Sequence, residues 1–146
     1  LLGALPTGLT LERVCSLVGI STREEKVALG EAALKIDPSA SAMRVVNDYH
    51  GLSVTNLDDA VSPAALFRAT TEHLIDDSAA MVALIEKFTG KASDVVIAGG
   101  WIKNPMIASA KKEQFGNYKV SDATEAGATG AAQFAGIAAG IFKLKN

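Results

Sequence analysis

The residues best placed to do chemistry are Gly99 and Gly100, which end the β-branched run Val95-Val96-Ile97, and Asn104-Pro105 just beyond them. A turn without side chains lets a ligand lie against the backbone. Asn followed by Pro supplies the cap and first residue of a helix. Strand, glycine turn and helix, in that order, is how α/β proteins hold nucleotides. Gly99, Gly100, Trp101 and Asn104 are therefore the candidate nucleotide-binding residues. Each also has a purely structural alternative. The glycines could serve only a tight turn, Asn104 only a helix cap of about 1 kcal/mol, and Trp101 could plug the core instead of flanking an adenine ring.

A second unusual segment is Glu125-Ala126-Gly127-Ala128-Thr129-Gly130-Ala131-Ala132. Two glycines inside a helix cost about 1 kcal/mol each relative to alanine, so close packing on a sheet or beside a nucleotide is expected to offset them. Gly-Ala-Thr-Gly is a superficial dinucleotide fingerprint only, because one glycine and the later acidic residue are missing. His50 and His73 have no partners at metal-ligand spacing. Asp58-Asp59 and Asp76-Asp77 fit solvated faces, and Cys15 fits buried filler. No Ser-His-Asp arrangement or nucleophile elbow occurs.

Several elements must position these residues. Residues 1–40 read as helical: Thr10 caps a short helix closed by Gly19, and a Ser21–Glu24 capping box opens a second helix that runs to about Ile36. Short apolar stretches at 43–46 and 52–55 suggest an antiparallel pair around a turn at 48–51. Ser62-Pro63 starts the longest helix, Gly90 ends it, and Phe67, Leu74, Met81, Ile85 and Phe88 form its expected buried stripe. A strand at 94–98, a helix at 105–115, a strand at 118–121 and a last helix boxed by Asp122 and Glu125 complete the chain. Helices alternating with strands imply parallel pairing.

The 146 residues suit one domain, 1–146, with a real core. A hydrophobic fraction of 49% with 21% charged residues is that of a folded, soluble chain. A net charge of -2 with interspersed signs points to neither a nucleic-acid nor a membrane surface. The single cysteine cannot form an internal disulfide, which fits a cytoplasmic location. The chain opens on Leu1 in what reads as the middle of a fold, as expected of a piece of a longer protein.

From Val61 to Ile141 the sequence resembles the C-terminal domain of the FGGY carbohydrate kinases, within the actin–hexokinase–Hsp70 superfamily. The resemblance rests on Phe67-Arg68-Ala69 with Glu72, on Ala98-Gly99-Gly100, and on the small-residue segment 125–132. It implies an α/β, ribonuclease H-like (actin-like ATPase) domain, truncated, with a short mixed sheet flanked by helices. It also implies transfer of the γ-phosphoryl of ATP to a sugar or polyol, with Mg2+ held mainly by the nucleotide phosphates and an N-terminal domain absent from this sequence. In that family adenosine lies against the diglycine turn and an asparagine four residues on contacts the nucleotide, which correspond here to Gly99, Gly100 and Asn104. Trp101 stands where relatives often have a small residue. The family's phosphate loops and catalytic aspartate find no equivalent, so this chain alone is expected to be inactive: the adenosine-binding half of an enzyme, partnered by its own N-terminal domain. Its bared apolar face would make a homodimer unsurprising. The rival reading is a non-catalytic nucleotide-binding regulatory or assembly module of the same superfamily.

Overall fold

The computed structural model describes residues 7–38, 42–48, 51–57, 61–122 and 125–143. His50, the turn residues 49–50, Asp58-Asp59 and the chain start at 1–6 lie outside them. Five helices and two small sheets follow in the order α1 (Thr7–Leu17), α2 (Arg23–Leu34), β1 (Arg44–Asp48), β2 (Gly51–Thr55), α3 (Pro63–Thr89), β3 (Val96–Ile97), α4 (Pro105–Phe115), β4 (Lys119–Val120) and α5 (Ala126–Ala138).

Local signals set most boundaries. Ser62 caps α3 by accepting the Ala65 N–H, Pro63 opens the helix, and Gly90 closes it at a φ of 78°. The α2 box forms one residue later than expected: Thr22 accepts the Glu25 N–H while the Glu25 carboxylate accepts the Thr22 N–H. Thr10 is buried inside α1 and is not its cap. Glu125 stands at the start of α5 with no side-chain cap bond, so the expected Asp122–Glu125 box is not formed.

The core joins α1, α2, the hairpin, the first half of α3 and the start of α4, through Leu11, Val14, Leu29, Val45, Phe67 and Met106. Polar groups enter it with partners of their own. Thr70 and Thr71 donate to the Leu66 and Phe67 carbonyls one turn back. Arg68 donates to the Ala33 and Ile36 carbonyls at 3.3 and 2.9 Å, satisfying the end of α2, and its Nε meets Glu72 at 2.7 Å. His73 Nε2 accepts the Asn47 N–H at 3.0 Å and so anchors the hairpin to α3.

Three expectations of packing change. The strands form no single mixed sheet: β1 and β2 pair antiparallel, and β3 and β4 pair parallel in a separate two-residue ladder. The apolar stripe of α3 is buried only at Phe67 and Leu74, while Ile85 is exposed and Phe88 is 85% exposed. Nor does α5 pack closely. Among the described residues its only buried position is Gly136, against its own downstream Phe142, and a Cβ added to Gly127 or Gly130 would meet nothing within 4 Å.

Candidate functional site

The site is built on the connection from β3 to α4. Gly99 adopts φ 114°, ψ 154°, a conformation that side chains disfavour, and the chain then tightens into a 3-10 turn over Gly100–Lys103. A Cβ added to either glycine would meet nothing within 4 Å, so the backbone is bare on its open side. Asn104 ends the turn and caps α4, its Oδ1 accepting the Met106 and Ile107 N–H groups at 3.1 and 3.5 Å.

Asn104 also has a second task. Its Nδ2 donates to the Lys26 carbonyl at 2.7 Å, tying α2 to the turn, and the residue is only 4% exposed. The side chain fits there because Gly30, on the next turn of α2, has none: a Cβ on Gly30 would run into Oδ1 and come within 2.7 Å of Nδ2.

Trp101 sits in the middle of this arrangement. Its ring centroid lies 6.1 Å from that of Phe67 at a tilt of 36°, and Lys26 Nζ lies 5.7 Å from the ring. Lys26 Nζ also pairs with Glu12 of α1 at 2.7 Å. Outside the indole is a cleft of about 340 Å³, floored by Gly100, Trp101 and Asn104 and walled by Arg23, Lys26, Val27 and Lys103, with Glu12 the sole carboxylate of its lining. Behind the turn is a second, apolar cavity of about 290 Å³, bounded by Leu74, Ile97, Gly99 and Ile107. Lys111 lines it too, and burial pushes its amine below the ordinary lysine range. Gly100 and Trp101 border both spaces.

The structure thus brings Gly100, Trp101 and Asn104 to one cleft and turns Gly99 to the cavity behind it. The small-residue start of α5 lines neither space. Sequence reasoning missed Glu12, Arg23, Lys26 and Gly30, all on the two N-terminal helices. One signal was available: Gly30 interrupts a helix interior just as Gly127 and Gly130 do, and the same cost argument applies to it.

Chemically, the cleft offers a bare backbone edge, an aromatic ring and three cations against one carboxylate. That suits a flat ligand with an anionic tail. It does not suit a metal ion by itself, since among the described residues no group of three or more His, Cys, Asp or Glu side chains could hold one. No helix among them is long and apolar enough to cross a membrane.

No protein-family model and no curated protein matches the chain. Solved structures do. The crystal structure of xylulose kinase from Rhodospirillum rubrum aligns with a TM-score of 0.61 at 14% identity, over 70% of this chain and 23% of that one. The xylulose kinase from Bifidobacterium adolescentis aligns with a TM-score of 0.54 at 19% identity, over 68% and 21%. The likeness is one of fold, to part of a sugar kinase, and this chain spans less than a quarter of either kinase's length.

Proposed function

We propose that this chain is the nucleotide-side, C-terminal domain of an ATP-dependent carbohydrate kinase, which transfers the γ-phosphoryl of ATP to a sugar or polyol hydroxyl. The observation that carries the reading is the cleft itself: the second glycine of the diglycine turn, a tryptophan and a cationic wall, within a fold shared with part of the xylulose kinases. The ribonuclease H-like ancestry and the FGGY family belong to the same proposal.

In this reading adenosine enters the cleft along the Gly100 backbone with Trp101 at its side, Gly99 shaping the turn from behind, and the phosphates extend toward Arg23, Lys26 and Lys103. Asn104 shapes the floor. Its Oδ1 is taken by the start of α4 and one Nδ2 hydrogen by the Lys26 carbonyl, so a direct contact with the nucleotide would use the second Nδ2 hydrogen. Among the described residues no carboxylate set could hold Mg2+, and the ion's ligands would come from the phosphates and from the enzyme's N-terminal domain. The sugar, the base that deprotonates it and the closure that excludes water belong to that domain too. The bare faces of Phe88, Phe134 and Val120 are where it would dock, and in its absence two copies would meet there.

The test is ligand-linked stability. ATP at 100 times its dissociation constant should stabilise the chain by about 2.7 kcal/mol. Gly100→Val should abolish that gain while the domain stays folded, because the added side chain has open space within the protein. An unchanged melting temperature with ATP, or wild-type affinity in Gly100→Val, overturns the site.

A further inference from the structure

The cleft contains one interaction that a nucleotide site does not need for its own construction: the pair between Lys26 and Glu12. Lys26 is the hub of the site. Its carbonyl holds Asn104, its Nζ lies over Trp101, and the same Nζ reaches across from α2 to the Glu12 carboxylate on α1 at 2.7 Å. The Glu12 side chain is about half exposed, at 49%, whereas that of Lys26 is 21% exposed. Arg23 lies one helical turn before Lys26 and Lys103 lies on the 3-10 turn, and neither forms an ion pair among the described residues.

Resting on the nucleotide reading above, we infer that Glu12 is a displaceable counter-ion for Lys26, and that its displacement sets the preference of the cleft for phosphorylated over neutral nucleosides. A phosphate drawn in by Arg23 and Lys103 lowers the field holding Glu12 and repels its carboxylate directly. Glu12 is on an exposed helix face and can turn into water at little cost, since exposed ion pairs contribute little stability. Lys26 then donates to the phosphate. A neutral nucleoside brings no charge, so the pair stays closed and Lys26 stays over the indole. Glu12 therefore weakens phosphate binding and leaves nucleoside binding alone, which makes it a specificity-determining residue that never touches the base.

The experiment is calorimetric titration of the 146-residue chain with adenosine and with ADP, without divalent metal, in wild type, Glu12→Gln and Lys26→Met. Glu12→Gln should tighten ADP by up to about fivefold, the range of an exposed ion pair, and leave adenosine unchanged. Lys26→Met should narrow the ratio of ADP to adenosine affinity. The chain has a single tryptophan, Trp101, so its emission gives an independent readout: ADP, which draws Lys26 off the ring, should change it differently from adenosine. If adenosine binds but Glu12→Gln leaves the ADP-to-adenosine ratio at its wild-type value, the exchange is wrong and the nucleotide site stands. If neither ligand binds wild type, the site and the exchange fall together.

Discussion

Gly30→Ala should destabilise the protein even though alanine is the better helix former, and the sign should reverse once Asn104 is removed. Gly30 is in the interior of α2, where replacing glycine with alanine ordinarily stabilises by about 1 kcal/mol. Here the new Cβ would run into the Asn104 side chain, coming within 2.8 Å of its Cγ. That side chain cannot yield cheaply, because it is buried and makes three hydrogen bonds. Turning it away forfeits the α4 cap, about 1 kcal/mol, and the bond to the Lys26 carbonyl, about 1 kcal/mol more. The net change is a loss of about 1 kcal/mol in wild type. In the Asn104→Ala background the clash is gone and Gly30→Ala should stabilise by about 1 kcal/mol. Urea unfolding of the four proteins closes the double-mutant cycle, with an expected coupling of about 2 kcal/mol, well outside the 0.3–0.5 kcal/mol scatter of independent sites. Additive effects, or a stabilised Gly30→Ala single variant, would show that Asn104 does not hold α2 to the turn.

Thr22→Ala should cost about 1 kcal/mol by opening the α2 capping box, visible as a lower urea midpoint. The Thr22 and Ser21 backbone N–H groups hold the Glu25 carboxyl below the usual glutamate range. The stability this contributes is complete above the unfolded-state pKa and is lost as pH falls through the lower folded-state value. Glu25→Gln should therefore flatten the acid limb of the melting curve, and an unaltered limb would count against the box. Cys15 is fully buried and its thiol pKa is raised, chiefly by burial, so a thiol-specific reagent should label it at an appreciable rate only after unfolding. Rapid labelling of the native protein would contradict the packing of α1.

What could be read in the sequence was what local chemistry decides. Asn104-Pro105 and Gly116 bracket α4, and Ser62-Pro63 and Gly90 bracket α3, because a cap, a fixed φ and a left-handed glycine act within a few residues. Parallel pairing of β3 with β4 also followed from alternation. The α2 box was misplaced by one residue because Ser21-Thr22 and Glu24-Glu25 offer two registers of the same motif. Periodicity named the apolar face of α3, but the expectation that Ile85 and Phe88 are buried failed, because a period says which residues share a face and nothing about what covers it beyond Ile75. The turn of the site was visible for the same local reason that α4 was. Its walls were not: Lys26 and Asn104 meet across 78 residues, and a hydrogen bond of that span leaves no pattern in either segment.

The length of α3 has a mechanical consequence. Its last buried residue is Ile75, and the helix continues to Thr89, so about 20 Å of it extends past the point where it is gripped. A rigid rod clamped at one end amplifies angle into displacement. A rotation of about 10° in the packed half, where Phe67 abuts Trp101, would swing the far end by roughly 3–4 Å over that reach. A small adjustment of the indole on one side of the molecule would thus arrive as an atom-sized step at Phe88 on the other.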